Sequence, residues 1–468
     1  MLPLPSQAPI SRTPDAPWRT ELRFDPHWDG LWSRGSDANW FTLEDARHRA
    51  AAIARTGSGR MWLPPQVDLS GASARARLER CTDGWWQQAL TVLGCVNAYR
   101  TVSAQQLGWL LGDESVGSGD RARLLWDLFS LGLIDIGLTA SPVDALEFSA
   151  SARLYRPAKT RAFAELIEPR ATFEQWASVT AGIGYESASQ YDRHNVLTTE
   201  LLLRAAEWLP IAAIAGEQQS DLETLAYTSV GGVPPRIAQL QRAADGVLVR
   251  PDGVRIAIEL TASTGTSFQA KVERWARVLH ECRFDDTGLV VVFVTAPRSG
   301  RSSSGQRPIQ QQVQRTVART VDAIRGTDTD RTRDRIAVAS WESWFPSPGE
   351  VSHEFLSLQA ARATGADRSN PWVPVRLLDE MAVRTPRSAS LRSSIAVLAG
   401  LRSQPPHLAA AFTPPELWRV AAVESGLVSV APKTVNTRTG EPIRSGASGA
   451  RGAKLFPPQF LPVGQQHR

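Results

Sequence analysis

The sequence predicts a mixed α/β (α+β) protein with more than one domain, and three observations support this. The chain has 468 residues, 42% of them hydrophobic and 21% charged, which is typical of a folded protein with about two to four domains. Short amphipathic helices, with apolar residues four apart, are predicted near residues 84–138. Between residues 190 and 346, helical patterns alternate with β-branched runs, which predicts an α-β-β-β-α-β core.

The composition divides the chain into five segments. Residues 431–468 are rich in Gly, Ser and Pro and carry six basic residues against one acidic residue, so they account for the whole formal net charge of +5. Such a tail could contact phosphates nonspecifically or could simply be a solvated, disordered terminus, whereas residues 1–430 are neutral overall. We predict an irregular arm with one helix, a helical module, an α/β core, a helical C-terminal region and a flexible basic tail, over residues 1–70, 72–158, 190–346, 347–430 and 431–468.

Three further features bear on the compartment. The apolar runs are far shorter than the roughly 18 residues needed to cross a bilayer, so we expect no membrane partner. Cys81, Cys95 and Cys282 are too widely spaced for a disulfide framework or a zinc site. The first residues contain several prolines and lack the basic start of a signal peptide. We therefore expect a cytoplasmic protein.

The helical module begins with an apolar helix pattern over residues 84–99. Ser103 and Gln106 then form a capping-box pattern, in which the hydroxyl and the amide satisfy the first free N–H groups of a short helix. A third amphipathic helix is predicted over 120–130, and an alternating strand over 133–138. The order predicts three short helices closed by a strand.

This order resembles a winged helix-turn-helix module. The resemblance implies that the third helix lies in the major groove, with Arg121 and Arg123 facing DNA. Residues 72–161 carry ten basic and nine acidic side chains, however. A three-helix module that binds protein therefore stays open as the alternative.

The α/β core is predicted from a series of helical and strand patterns. Two β-branched runs flank Pro251-Asp-Gly253, where Pro presets the turn and Gly supplies a positive φ, so they predict a hairpin. The run at 289–295 is continuously apolar, as in a strand buried on both faces. Helices are expected near 191–209, 267–281, 308–326, 388–401 and 415–426, and further strands near 212–216, 245–250, 254–261 and 335–340.

Two carboxylates on this hairpin carry the chemistry that we predict. Asp245 and Glu259 are fourteen residues apart across the turn, so antiparallel pairing brings them together. Two neighbouring carboxylates can share one Mg²⁺, which lowers the pKa of a bound water and stabilises charge on a phosphate. The element order is that of the restriction-endonuclease-like core, in which a lysine follows the second carboxylate by two residues. Thr261 occupies that position here, and Lys271 on the next helix is the candidate replacement.

Each of these residues also has a purely structural interpretation. Asp245 is a good residue for the turn that enters a strand, and Glu259 could form an ion pair with Arg255 or Arg274. Lys271 could direct its ammonium to solvent, as helical lysines commonly do. The sequence leaves an inactive nuclease-like domain open, and the assignment as an enzyme is uncertain at this point.

Several motifs together resemble the replication-relaxation family of mobile genetic elements. The resemblance spans roughly residues 80–345. Its matching residues are Arg193 and His194 before a Thr-Thr-Glu-Leu helix, Glu217 after an apolar strand, Asp245, and Glu259 in Ile-Ala-Ile-Glu-Leu-Thr. The family's usual proline before the first Asp is Ala244 in this chain. The resemblance implies a winged helix, a nuclease-like domain, and a role in the maintenance or transfer of plasmid or integrative-element DNA.

The remaining candidate residues support the site or contact DNA. Glu200, Glu217, His194 and Thr261 are candidates for side chains behind the metal-binding carboxylates, although His194 also fits an ordinary histidine at a helix start. Candidate DNA contacts are arginines of the helical module and of the loop after 289–295, namely Arg121, Arg123, Arg298 and Arg301.

These observations leave three functional hypotheses. The first is a DNA-binding accessory protein of a plasmid or integrative element, with a nuclease-like domain whose activity is open. The second is an active Mg²⁺-dependent DNA endonuclease that uses Asp245 and Glu259. The third is a protein-binding scaffold without nucleic-acid contact, which the neutral charge of residues 1–430 favours. Protein partners are undefined, and a homodimer is left open.

Overall fold

The protein is described by a computed structural model in which helices surround two separate β-sheets. This mixed α/β architecture agrees with the class that the sequence predicts. The structure describes residues 19–28, 38–59, 61, 63, 67–80, 83–113, 115–118, 123–139, 153–182, 185, 191–226, 234–238, 243–297, 308–327, 330–363, 372–388 and 390–409.

The first sheet has four strands in the order β1-β3-β4-β2, and all neighbouring strands are antiparallel. Its strands and the helices around it are, in chain order, β1 (Asn39–Phe41), α1 (Leu43–Thr56), α2 (Ala72–Arg80), α3 (Asp83–Tyr99), β2 (Val102–Ser103), α4 (Ala104–Leu111), α5 (Ser115–Ser118), α6 (Arg123–Ser130), β3 (Ile134–Leu138), β4 (Arg153–Pro157) and α7 (Phe173–Thr180). A π-helical turn, Phe163–Ile167, and a 3₁₀ turn, Glu168–Arg170, precede α7.

The second sheet has seven strands in the order β11-β10-β9-β8-β7-β6-β5. Strand β8 is parallel to both of its neighbours, β7 and β9, and every other pair is antiparallel. The elements are α8 (Asp192–Trp208), β5 (Ala213–Gly216), α9 (Leu222–Ala226), α10 (Pro235–Ala238), β6 (Gly246–Val249), β7 (Arg255–Thr261), α11 (Thr266–Glu281), α12 (Phe284–Thr287), β8 (Leu289–Thr295), α13 (Ile309–Ala323), β9 (Ile336–Ser340), α14 (Trp341–Trp344), α15 (His353–Leu356), β10 (Gln359–Ala363), β11 (Trp372–Arg376), α16 (Ser390–Ala399) and α17 (Pro406–Ala409). Short 3₁₀ turns lie at Glu217–Gln219 and Thr332–Arg335.

Local sequence signals explain two of these boundaries. The capping box at the start of α4 forms as predicted, with Ser103 Oγ accepting from Gln106 N and Gln106 Oε1 accepting from Ser103 N. The hairpin between β6 and β7 closes where Gly253 adopts a φ of +94°, and Arg250 N donates to Val254 O at 2.8 Å. Strand β8 is buried at all seven positions, as its continuous apolar pattern requires.

The structure corrects the predicted secondary structure of three segments, each of which contributes at least one strand that the sequence did not predict. The arm supplies β1 to the first sheet, and the module over residues 72–158, predicted to end in one strand, supplies a further strand, β4. The C-terminal region, predicted to be helical, supplies β10 and β11, which extend the second sheet. Pro374 lies in β11 because an edge strand tolerates a residue without an N–H. The helix predicted at 415–426 and the basic tail at 431–468 lie outside the described residues.

Helix α6 is almost entirely covered by its surroundings. Residues Leu125–Ser130 are buried, and only Arg123 at its start is exposed. Arg77 of α2 forms an ion pair with Asp127, which also accepts from Trp85 Nε1 at 3.2 Å. A side chain on Gly71, just before α2, would lie 2.6 Å from Ser130 O, so the backbones are in close contact there. Helix α2 therefore lies against the outer side of α6.

The N-terminal arm is joined to α8 by buried ion pairs, which we call the arm cluster (Arg23, Asp25, Glu200, Arg204 and Glu207). Arg23 Nη2 lies 2.9 Å from Glu200 Oε1, and its Nη1 lies 3.2 Å from Glu207 Oε2. Arg204 bridges Glu200 and Asp25 at 3.0 and 2.7 Å. Each charge has an opposite charge beside it, as burial requires.

Residues 401–409 pack against β5, α3 and α7. The Gln404 side chain accepts from Ile214 N at 3.1 Å and donates to Ile214 O at 2.5 Å, which satisfies the outer edge of β5. Tyr99 Oη donates to Ser403 O at 2.8 Å. Among the described residues, none of the helices is long and apolar enough to span a membrane.

Candidate functional site

The hairpin of β6 and β7 brings two carboxylates to one end of the second sheet. Gly246 pairs with Ile258, so Asp245 and Glu259 occupy the next opposite positions. Asp245 N donates to Ile258 O at 3.1 Å, and the Asp245 Oδ2 atom accepts from Leu260 N at 2.7 Å. The Asp245 side chain thus extends the strand ladder by accepting from the backbone N–H that follows Glu259.

Helix α11 supplies a cation and a hydrogen-bond donor to Glu259. Lys271 Nζ lies 2.5 Å from Glu259 Oε2 and 3.8 Å from Asp245 Oδ2. Trp275 Nε1 donates to the other oxygen, Glu259 Oε1, at 2.5 Å. Lys271 and Trp275 are four residues apart and therefore share one face of the helix. Both carboxylates contact the same ammonium group.

Helix α8 adds a histidine from the other side. His194 Nε2 lies 2.7 Å from Asp245 Oδ2. The exposed fraction is 25% for the His194 side chain, 27% for Lys271, 12% for Asp245 and 0% for Glu259. We call these four residues the site cluster. The cluster is accessible to solvent at His194 and Lys271, whereas Glu259 is fully buried.

The charged groups of the site cluster shift one another's pKa values. Burial raises the pKa of Asp245, but the charges of His194 and Lys271 outweigh it and leave the pKa below its ordinary value. At Glu259 burial dominates and raises the pKa, although Lys271 opposes it. Burial lowers the pKa of Lys271, but Asp245 and Glu259 outweigh it and raise the pKa above its ordinary value. At neutral pH Lys271 is therefore a cation and Asp245 an anion.

The donor set of the site cluster fits a hard divalent cation. Mg²⁺ is usually bound through one or two carboxylates and keeps several waters. Thr261 lies two residues after Glu259, so it shares that face of β7. Its hydroxyl is buried and has no hydrogen-bond partner among the described residues. No group of three or more His, Cys, Asp or Glu side chains with metal-binding geometry occurs within the described part of the chain. Asp245 and Glu259 would supply the protein ligands.

The other candidate residues lie in different parts of the structure. Glu217 begins the 3₁₀ turn that follows β5. Because Gly216 pairs with Gly246, this turn lies next to the start of β6, which Asp245 directly precedes. Glu200 contributes to the arm cluster, where it contacts Arg23 and Arg204 instead of supporting Asp245. Of the predicted DNA contacts, Arg123 is exposed at the start of α6. The others lie outside the described residues, namely Arg121, Arg298 and Arg301.

The sequence left the partner of Glu259 undecided and did not identify Trp275 as its hydrogen-bond donor. Arg255, one candidate for an ion pair with Glu259, instead donates to the carbonyls of Thr287 and Thr224 at 2.9 and 3.2 Å. The ion pair forms with Lys271. Trp275 was not predicted, although its position four residues after Lys271 is the signal that places both side chains on one helix face.

Comparisons of the chain with protein-family models, with curated proteins and with solved structures find no match.

Proposed function

We propose that this protein binds DNA and hydrolyses its phosphodiester bonds at the site cluster, with a divalent metal ion. The observation that carries the proposal is that Asp245, Glu259 and Lys271 meet at one end of the sheet. Two carboxylates on paired strands can bind a metal ion that activates water for phosphodiester hydrolysis, and a lysine beside them can neutralise charge on the phosphate. The choice of DNA rests on the resemblances described above.

The topology around the site supports a restriction-endonuclease-like domain. Helix α8 precedes three antiparallel strands, β5, β6 and β7, and helix α11 then leads to β8, parallel to β7. This is the α-β-β-β-α-β order, with the carboxylates at the start of β6 and near the end of β7. The lysine comes from α11 rather than from β7. Lys271 would thus supply the positive charge that Thr261, at the usual lysine position, lacks.

The residues of the site cluster have separate roles in the proposed reaction. Asp245 and Glu259 would bind Mg²⁺, which when present lowers the pKa of water and neutralises charge on the phosphate. Lys271 stays protonated, so it acts as a donor to a phosphate oxygen or to the attacking water rather than as a base. His194 contacts Asp245 at 2.7 Å and fixes the orientation of its carboxylate.

The first sheet supports a winged-helix module, with a restriction on how it contacts DNA. Helices α3, α4 and α6 and strands β2, β3 and β4 follow the winged-helix order, in which the paired strands β3 and β4 would correspond to the wing. Because α2 covers α6, we infer that the module contacts DNA through the Arg123 end of α6. The resemblance to the replication-relaxation family extends the proposal to DNA of plasmids or integrative elements.

A nicking assay tests the proposed function. Full-length protein is incubated with supercoiled plasmid and with single-stranded DNA in Mg²⁺ or Mn²⁺. We expect metal-dependent cleavage by the wild type and its loss in Glu259→Gln. Glu273→Gln is the matched control, because Glu273 lies on α11 at a half-buried position, where it accepts from Gln269. Equal cleavage by wild type and Glu259→Gln would refute the catalytic assignment.

A second candidate function is DNA binding without cleavage. One observation favours it: Glu259 is fully buried, and both of its oxygens already contact Lys271 or Trp275. In that case the same assay would show no cleavage by any variant, while a gel-shift series would still show salt-dependent binding of the full-length protein. Absence of both cleavage and salt-dependent binding would contradict both candidates and favour a scaffold.

A further inference from the structure

The solvent-facing end of α8 carries an aromatic side chain. Tyr191, the residue before the helix, is 66% exposed. Its carbonyl accepts from Asn195 N at 2.9 Å, so its backbone joins the first helical turn. Three residues later, His194 contacts Asp245. Tyr191 is the N-cap of α8, so it lies just outside the first turn, three residues before His194.

The exposure of Tyr191 contrasts with the rest of its helix. Every residue from Asn195 to Glu207 is buried, so α8 meets solvent at its ends only. Single exposed apolar residues are ordinary on protein surfaces, and Leu22 and Met381 are examples here. Tyr191 differs from them because it lies one helical turn from a residue of the site cluster.

An exposed ring beside a phosphodiesterase site has a specific use. Every nucleobase has a π-face, and unpaired bases stack on aromatic side chains in proteins that bind single-stranded nucleic acid. Bases within a duplex are already stacked on one another. A ring that stacks on a base beside the phosphate would therefore favour a substrate in which that base is unpaired.

We propose that Tyr191 is the stacking platform for an unpaired nucleobase of DNA adjacent to the phosphate at the site cluster. This inference rests on the proposed function and adds the substrate class, namely DNA that is single-stranded or locally unpaired at the site. Tyr191 sets specificity by contacting the base, and the chemistry remains with Asp245, Glu259 and Lys271.

Binding of a fluorescent single-stranded oligonucleotide, followed by anisotropy in Ca²⁺ with full-length protein, tests the inference. We expect Tyr191→Ala to weaken binding by about 5-fold to 100-fold, the range typical of one base–aromatic stack. Tyr191→Phe and Tyr191→Trp retain the ring and should bind like the wild type. Met381→Ala is the matched control, because Met381 is 93% exposed and follows β11 at the opposite edge of the sheet.

An abasic scan of the oligonucleotide separates stacking from a general effect on the surface. We expect one position at which removal of the base weakens binding by the wild type but not by Tyr191→Ala. Wild-type binding that Tyr191→Ala leaves unchanged, or the same abasic losses in both proteins, would overturn the inference alone. A wild type that binds neither single-stranded nor duplex DNA would overturn the proposed function as well. Thermal unfolding of each variant shows that the fold is retained.

Discussion

Helix α8 contributes to two clusters of charged side chains that differ in their access to solvent. In the arm cluster, the side chains of Arg23, Glu200, Arg204 and Glu207 are each at most 1% exposed. In the site cluster, His194 and Lys271 are about a quarter exposed, at 25% and 27%. The same helix thus carries a sealed group of ion pairs and an open one.

The comparison shows how burial distinguishes charged side chains that stabilise the fold from charged side chains that are accessible to a ligand. Every charge of the arm cluster contacts an opposite charge contributed by the arm or by α8 itself. The site cluster places two carboxylates against one ammonium and a histidine, and it opens to solvent on one side. Changes in the arm cluster should therefore affect folding, and changes in the site cluster should affect binding and catalysis.

The largest effect is expected from Glu200→Gln in the arm cluster. The change leaves Arg23 and Arg204 without their shared carboxylate in a buried environment. Removing one partner of a buried ion pair typically costs about 3–5 kcal/mol of unfolding free energy. Urea unfolding followed by circular dichroism measures this loss. Glu273→Gln on α11 serves as the control and should change stability by less than about 0.5 kcal/mol. A similar small change in Glu200→Gln would contradict the structural role of the arm cluster.

Lys271→Met should reduce cleavage of DNA by about 100-fold to 1,000-fold, the range for removing one preorganised donor from an active site. Because Lys271 is partly exposed, we expect a smaller loss of stability than in Glu200→Gln. The rate of plasmid nicking in Mg²⁺ measures the effect, and Lys271→Arg should recover part of it by restoring the charge. An unchanged rate in Lys271→Met would show that the lysine only neutralises the carboxylates.

A smaller effect is expected from His194→Ala. Loss of a side chain that orients a metal-binding carboxylate typically costs about 10-fold to 100-fold in metal affinity or activity. The Mg²⁺ concentration that gives half-maximal cleavage should rise, with little change in the melting temperature. His194→Gln keeps a donor for Asp245 and should lie between wild type and His194→Ala. If the Mg²⁺ dependence of cleavage is unchanged in both variants, His194 does not orient the metal-binding carboxylate.

Acidification should destabilise the contact between the arm and α8 in two steps. Burial, aided by Arg193, lowers the pKa of His27 to about 4, so the folded protein binds fewer protons there than the unfolded chain, and stability falls from about pH 6.5 toward pH 4. At Glu200 burial opposes ionisation, but Arg23 and Arg204 lower the pKa to about 2, so its contribution is lost as pH falls from about 4.5 toward 2.

Urea unfolding at a series of pH values measures both steps. His27→Gln should flatten the loss between about pH 6.5 and 4 and leave the lower step in place. If stability does not change over this range in the wild type, the placement of His27 and Glu200 in a buried environment is wrong.

The proximity of Asp245 and Glu259 could be predicted from the sequence because it follows from local rules. The Pro-Asp-Gly turn fixes the register of the hairpin, and the register places residues 245 and 259 opposite each other. Lys271 could be named because it is the only lysine between residues 160 and 432. Its contact with both carboxylates needed the structure, since the position of α11 against the sheet depends on packing.

The features that the sequence did not predict depend on contacts between distant parts of the chain. Glu200 looks like a second carboxylate near the site, but Arg23, 177 residues away, contacts it instead. Strands β10 and β11 join the sheet after an intervening pair of short helices. The cover of α6 by α2 depends on Arg77 reaching Asp127, 50 residues away. No periodicity within one segment carries this information.

The most direct test of the central claim is the anomalous scattering of Mn²⁺ in crystals of the full-length protein. We expect a single strong peak within bonding distance of Asp245 and Glu259 oxygens, with the Lys271 ammonium moved away from Glu259. The peak should be absent from Glu259→Gln crystals grown and soaked in the same way. A wild-type map with no peak at these carboxylates, and with Lys271 still in contact with both, would contradict the assignment of a metal-dependent site.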